Sequence, residues 1–478
     1  MKDNCSHIIK SEQSTSWLSS ENSGNNAWNY NSDNGNLNNN NKMNSNGVRG
    51  AFEFDCEEMM SEQFVSFYAK YLDYYRETRK HKRGKHSQLI FECNLQDYLL
   101  PLCWDIYKRQ YIPKPSNCFV VTNPTYREVI AAWFGDRIPQ TRVVRQLMPL
   151  LDRYFFHPDS YSCRVGKGSL RAAEQVIWHC RMQSNFYRIP LWIYKFDLRN
   201  FFMSIDMKIF FKEFAKLVNE FVVDENDRDE ILYLGRIIYL SYSQEHCIMK
   251  SHPELRKHIA EGKTLIGKTN NVGLPIGNIT SQMLSLIVTT FILRMLVDFG
   301  LKFAHYTDDN CGVTRDKESF LKFMRWLANE LQQRYGLTIH PHKFHLQYYK
   351  KPVNFLGYKI MYGSYLAPGN RLAHNFKWKI ECYIRKAELY TDFIYWRKEQ
   401  FSCTLCSYLG LLKHTASYNL RREQIQKVID SRWSIVFDFD TENYYKVSIK
   451  KDYTEMAYRL RKNKQRKLQL KTYYNELI

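Results

Sequence analysis

Three aspartates carry the most specific chemical signal in this chain. Two are adjacent, in Ala304-His305-Tyr306-Thr307-Asp308-Asp309-Asn310, at the tip of a predicted hairpin. The third, Asp197, lies upstream in Lys195-Phe196-Asp197-Leu198-Arg199-Asn200-Phe201-Phe202. Carboxylates brought together from separate strands can hold two divalent ions roughly 3.5–4 Å apart, which clamp the attacking and leaving oxygens of an in-line displacement at phosphorus. Magnesium suits such an oxygen-rich set, because it keeps several waters and takes further ligands from substrate phosphates. An Asp-Asp pair alone reads as a solvated turn; the segments around it reverse that reading.

Those segments must position the carboxylates. Ile193-Tyr194-Lys195-Phe196 is an apolar-rich strand that ends at Asp197. After Asp206, apolar residues at 210, 214, 217, 218 and 221 form a helical stripe, which makes Asp206 a helix N-cap and not a fourth catalytic acid. Between the acids lies Gly273-Leu274-Pro275-Ile276-Gly277-Asn278-Ile279-Thr280-Ser281-Gln282, followed by the apolar run Met283 to Leu293. That run is too short to span a bilayer and ends at Arg294, so it reads as a buried helix of a soluble protein. The charged region 222 to 265 predicts a connecting helix near Ile231 to Leu240 and an exposed loop. Beyond about 365 the pattern turns helical through Trp433.

Composition bounds the rest. A chain of 478 residues suggests about three packed units. The formal charge of +20, from 69 Lys and Arg against 49 Asp and Glu, points to a polyanionic partner. The excess is clustered, in Arg76, Arg79, Lys80, Lys82, Arg83 and Lys85 and again from Arg459 to Lys471, which favours nucleic acid over mere solubility. Aromatics at 15% suit base stacking as well as core filling. Twelve scattered cysteines without a signal peptide read as reduced thiols of a cytoplasmic protein. Cys403 and Cys406 form a single CxxC without a second pair, which argues for two thiols on a helix face and against zinc. His340, His342 and His345 lack a nearby carboxylate or thiol and are not read as a metal site. Gly166-Lys167-Gly168-Ser169 lacks the upstream glycine of a P-loop, which excludes that ATPase reading.

In order and spacing, the Asp197 segment, the Gly273 to Gln282 segment and the Asp308-Asp309 segment resemble motifs A, B and C of reverse transcriptases. More narrowly, Ile276-Gly277 with Thr280-Ser281-Gln282 resembles the reverse transcriptases of diversity-generating retroelements, where group II intron enzymes would show Gln-Gly and Ser-Pro. Ser162-Cys163-Arg164-Val165-Gly166-Lys167-Gly168-Ser169-Leu170 resembles the family's fingers motif, and Ser407-Tyr408-Leu409-Gly410-Leu411-Leu412-Lys413-His414 its thumb. The resemblance covers roughly residues 55 to 430. It implies an α+β right-hand polymerase: fingers over 51–190, a palm with an antiparallel sheet over 191–363 and a helical thumb over 364–440. Residues 441–478 would form a basic tail, ordered on RNA or a partner.

The resemblance also assigns roles. Asp197 and Asp308 would be direct ligands of two magnesium ions, with the main-chain carbonyl of Leu198 completing one site and Asp309 supporting the second. Arg164 and Lys167 would reach the incoming triphosphate. Phe202 would be the steric gate against the ribose 2′-hydroxyl. Ile276, Gly277 and Gln282 would line the nucleotide site; where higher-fidelity enzymes place Gln, Ile276 cannot hydrogen-bond the nascent pair, so geometric checking loosens. Lys343, in His340-Pro341-His342-Lys343-Phe344, would be the general acid for pyrophosphate. Phe355, Leu356, Gly357 and Tyr358 would form the primer grip, with Gly357 allowing close backbone approach.

Residues 1 to 50 differ in kind: 13 of the 26 positions from Glu21 to Asn46 are Asn, which predicts a disordered polar extension. The stretch Trp17 to Arg49 resembles the variable end of the lectin-fold proteins that such retroelements diversify, so its DNA would overlap the template repeat, and the folded enzyme would begin near Phe52. The expected activity is copying of a retroelement RNA into cDNA with errors at adenine, in the cytoplasm of a bacterium or from a phage gene. The expected partners are template RNA, cDNA or primer, deoxynucleoside triphosphates and a small basic helical accessory protein, with no membrane. The alternatives are another prokaryotic reverse transcriptase, of retron or phage-defence type, and a catalytically idle RNA-binding scaffold.

Overall fold

The computed structural model of the chain describes residues 56–451, apart from 81–83, 123–124, 242–244, 269–271 and 391, together with three short strands nearer the start. Those strands, Ser16–Trp17, Trp28–Asn31 and Asn36–Asn39, pair antiparallel in sequence order, so ten residues of the Asn-rich extension are extended and paired where no order was expected. The rest of that expectation, and the basic cluster from Arg459 to Lys471, lie outside the described residues.

Two compact units share the chain. The first takes Met1–Phe156, Arg199–Thr290 and Leu331–Leu337; the second takes His157–Leu198, Phe291–Glu330 and Thr338–Ile478. The palm expected over 191–363 is thus divided between them.

The first unit is mostly helical. Met207–Phe221 shows why: Asp206 accepts hydrogen bonds from the amides of Lys208 and Ile209, and Phe210, Phe214, Leu217 and Val218 recur on one buried face. Glu225–Leu240, capped by Asp224, is longer than the connecting helix expected there. The predicted exposed loop is also partly ordered, because Cys247–Met249 joins a three-stranded sheet, parallel to Ser116–Val121, whose other neighbour is Arg127–Ala131. Arg142, 1% exposed, ties helices together by pairing with Asp227 at 2.6 Å and Glu230 at 3.1 Å.

The second unit is built on a four-stranded antiparallel sheet in the order His345–Tyr348, Trp192–Asp197, Asp309–Thr314, Lys302–Tyr306. Gly312 sits where a Cβ would strike the Lys302 carbonyl and the Tyr194 ring, so no larger residue fits the centre of this sheet. The helix Ser169–Gln183 lays Ala172, Ala173, Val176 and Cys180 against Ile193, Ala304, Cys311 and Val313, in a core shared with the small sheet Val353–Phe355, Tyr358–Met361 and Tyr365–Pro368. Three helices follow, Asn370–Leu389, Phe393–Leu412 and Tyr418–Ile429, around the fully buried Trp433. Cys403 and Cys406 lie on the second of these as exposed thiols. The helical region does not end at 440: Phe437–Phe439 pairs with Val447–Ile449, and Val447 is buried in the same core. The first part of the expected basic tail is therefore structural, since Val447 and Ile449 supply apolar cover for the helices.

Ile279–Asp298 belongs to the first unit through Thr290 and to the second from Phe291. The complete helix has 20 residues and by length and composition could cross a membrane, which the shorter apolar run read from sequence could not. Its most apolar stretch is 72% buried inside the protein, as befits a core helix.

Candidate active site

The register of the four-stranded sheet brings the acids together. Asp197 is the last residue of its strand and pairs directly with Asp309, the first of the next; Asp308 occupies the turn between Tyr306 and Asp309. The main chain fixes this junction, with the Leu198 amide donating to the Asp308 carbonyl at 3.3 Å and the His340 amide to the Asp197 carbonyl at 2.8 Å. Asp197 is 5% exposed, and Leu198 is buried beside it.

Two lysines lie on these carboxylates. Lys343, in the short 3-10 turn Pro341–Lys343, bonds Asp197 Oδ2 at 2.6 Å, and Lys195 pairs with Asp309 Oδ1 at 3.2 Å. Burial alone would lower the Lys343 ammonium, but the hydrogen bond and charge of Asp197 outweigh it and hold it above its ordinary value. Among the described residues, Asp308 has no comparable bonded cation: burial, then the charges of Asp197 and Asp309, push its carboxyl up to about 6. The site thus concentrates negative charge on oxygen ligands and leaves it incompletely neutralised, a donor set that fits hard divalent cations. Among the described residues, no three His, Cys, Asp or Glu side chains are arranged to hold an ion by themselves. Ligands beyond the aspartates would have to come from the main chain, substrate phosphate or water, the mode magnesium favours.

A belt of residues not foreseen from sequence holds the turn. His305, fully buried, contacts Ser160 Oγ through Nδ1 at 3.0 Å and the Thr307 carbonyl through Nε2 at 2.7 Å. Burial lowers its imidazole to about 4, so the ring is neutral near pH 7. A carbonyl only accepts, which places the proton on Nε2 and leaves Nδ1 to accept from Ser160. Ser162 Oγ takes the Thr307 amide at 3.1 Å, while the His305 backbone bonds Asp159 and Tyr161. Thr307 has φ of 60°, a left-handed conformation that these bonds sustain. Ser162 and His305 both lay in segments singled out from sequence, the fingers motif and the Asp308-Asp309 segment, but without these roles; Ser160, 145 residues from His305, carried no signal.

The other predicted residues fall in several places. Arg164 donates to the carbonyls of His157 and Ser160, next to the belt. Lys167 reaches the Pro158 carbonyl and lies over the Tyr161 ring. Phe355 to Tyr358 form the tight turn between two strands, with Leu356 at φ 50° and Gly357 at φ 88°. The Gly357 carbonyl accepts the Gly369 amide.

Phe202, Ile276, Gly277 and Gln282 belong to the first unit. Phe202 is half-buried on the short helix Phe201–Ser204, and its carbonyl accepts the Leu274 amide at 2.6 Å. Ile276 packs on Cys118, Ile130, Met203 and Leu265, while its carbonyl takes the Ile130 amide. Gly277, at φ 125°, passes so close to Val129 and Ile130 that a side chain would collide. Asn278 accepts the Ala132 amide at 3.0 Å, a clamp the sequence did not advertise. Gln282 is exposed at the start of the long helix.

Comparison with known proteins gives one family match. Residues 112–360 match the model described as reverse transcriptase (RNA-dependent DNA polymerase). Among solved structures, apo telomerase from Candida tropicalis, truncated from its C-terminal domain, is similar at 13% identity and a TM-score of 0.40, covering 57% of this chain and 59% of that one. Telomerase from Candida albicans in complex with a TWJ fragment of telomeric RNA is similar at 10% identity and a TM-score of 0.42, covering 77% and 68%. No curated protein matches the chain.

Proposed function

The chain belongs to the reverse transcriptase (RNA-dependent DNA polymerase) family, with the right-hand α+β fold of such enzymes, and from that premise we propose that it copies a retroelement RNA into cDNA with errors concentrated at template adenines. The observation that carries the error-prone reading is Ile276. Its side chain is apolar and packs on Cys118, Ile130, Met203 and Leu265, so it offers the nascent base pair no hydrogen bond. Discrimination that rests on shape without such a bond is weak.

In this reading Asp197 and Asp308 would hold magnesium, with the Leu198 carbonyl and Asp309 in support. Bound there, the metal would supply charge neutralisation at the attacking and leaving oxygens. Everything else is done by the chain. The His305 belt fixes the turn that presents Asp308. Lys343 keeps its proton on Nζ while bonded to Asp197, which holds a charged ammonium beside the carboxylates as the proton donor to departing pyrophosphate. Arg164 and Lys167 bind the triphosphate of a deoxynucleotide, Phe202 excludes the ribose 2′-hydroxyl, Gly277 and Gln282 border the nucleotide, and Phe355 to Tyr358 hold the primer. The partners are template RNA and a small basic helical accessory protein, and the setting is a bacterial or phage-infected cytoplasm.

The test is deep sequencing of cDNA made by the purified protein, with and without the accessory protein, on RNA from its own locus. Errors concentrated at adenine, lost with all synthesis in Asp308→Asn and reduced in Ile276→Gln, are the expected result. Faithful cDNA would place the enzyme in another retroelement class.

A further inference from the structure

Within the second unit, an open cleft of about 850 Å³ lies between the outer face of the helix Ser169–Gln183, the turn before Tyr365–Pro368 and the loop after Phe393–Leu412. None of the three aspartates nor any primer-grip residue lines it; of the residues given a role at the nucleotide site, Lys167 alone is part of its lining. On the helix its lining includes Arg171, Glu174, Gln175, Trp178 and Arg181, one stripe at helical spacing. The opposite stripe, Ala172, Ala173, Val176 and Cys180, is the one buried against the sheet. The cleft face is therefore a solvent face, and a solvent face does not call for tryptophan. Trp178 is nonetheless 52% exposed there, and Tyr365 is 47% exposed on the facing turn.

The charges have the same character. Lys413 and His414 enter from the thumb loop, and Glu174 is the lone carboxylate among the lining residues. Its ion pair with Arg171, at 3.7 Å between largely exposed side chains, neutralises little. Among the described residues, Arg181 and Lys413 have no carboxylate partner. Arg171 and Arg181 are separated by about 15 Å along the helix axis, which suits a run of phosphates better than one. Cations along a trough with aromatic faces set between them are the recognition chemistry of single-stranded nucleic acid.

We propose that this cleft binds a single-stranded segment of RNA outside the stretch being copied, with Trp178 and Tyr365 stacking on bases and Arg171, Arg181, Lys413 and His414 contacting phosphates. The site holds the RNA to the enzyme independently of the primer–template duplex. The proposal stands whether or not errors fall at adenine.

The full chain is titrated into a fluorescein-labelled, mixed-sequence RNA dodecamer at several salt concentrations, with saturating unlabelled primer–template present. Trp178→Ala should weaken binding by about tenfold. The triple variant Arg171→Gln, Arg181→Gln, Lys413→Gln should lower the slope of log affinity against log salt by about 2. Single-nucleotide extension of a short primer–template should be unchanged in both. In the wild-type protein, RNA carrying 4-thiouridine should crosslink to the peptides of Trp178 or Tyr365, a readout that survives any folding defect in the variants. Unaltered affinity and salt slope in the variants, crosslinks only elsewhere, or no uptake of the dodecamer by the wild-type protein would each overturn the proposal.

Discussion

Two clusters of carboxylates, one in each unit, solve the same electrostatic problem in opposite ways. In the first unit Arg142, almost fully buried, forks to Asp227 and Glu230, and the Tyr71 hydroxyl donates to Glu230. Burial would pull the guanidinium down, but Glu230, Tyr74 and Asp227 outweigh it and hold it charged. That cluster is closed: its cation is planar, fixed and permanent. In the second unit the cations are lysines, flexible and partly in solvent, with the Lys343 side chain 51% exposed. They cover Asp197 and Asp309 and leave Asp308 with a raised pKa. The first cluster holds its counter-charge in place, whereas the second keeps a replaceable one, as a site meant to take up another cation would need.

The largest effect separates the two clusters by function. Asp197→Asn or Asp308→Asn should reduce cDNA synthesis below detection in a primer-extension assay while circular dichroism stays that of the wild type. Arg142→Ala should act on folding instead, costing about 3–5 kcal/mol by leaving Glu230 buried without its partner, read as a lower urea midpoint. If Arg142→Ala were as stable as the parent, the cluster would not be structural.

Smaller, and opposite in sign, is the effect of Asp308→Asn on stability. The folded pKa of Asp308, about 6, lies above the ordinary aspartate value of 3.8, so the folded state binds this proton more tightly than the unfolded state does. Ionisation therefore costs stability as pH rises from about 4 to 6, and the cost is complete above that. Without divalent ions, Asp308→Asn should be more stable than wild type by up to about 3 kcal/mol at pH 7 and by little at pH 4. Added magnesium should raise the melting temperature of the wild type and barely move the variant. The smallest effect belongs to Lys195→Ala, whose pair with Asp309 is partly solvated and worth at most about 1 kcal/mol. A larger loss there would show that the second cluster is more closed than its exposure suggests.

Local pattern made some of this legible and distance hid the rest. The strand ending at Asp197, the carboxylates at a hairpin tip, the Asp206 cap and the helices from Asn370 onward each have a signature within a dozen residues. The strand Cys247–Met249 does not, because three residues show no period and its partner Ser116–Val121 lies far upstream. Val447 looked like part of a charged tail because the core it completes is formed by helices before it. His305 read as one residue of a strand; its neutral ring under Thr307 depends on Ser160, which no spacing rule connects to it. The cleft faced by Trp178 and Lys413 likewise draws on segments more than 200 residues apart.

The interleaving of the two units also sets an order of events during synthesis. The first unit is not complete until Leu337 has been made, and the four-stranded sheet lacks its edge until His345–Tyr348 arrives. Before Lys343 is made, Asp197 and Asp309 can be paired but Asp197 lacks its lysine. A nascent chain stalled before residue 337 would therefore expose unfinished cores in both units to chaperones and proteases, and neither unit can be released early as a finished domain.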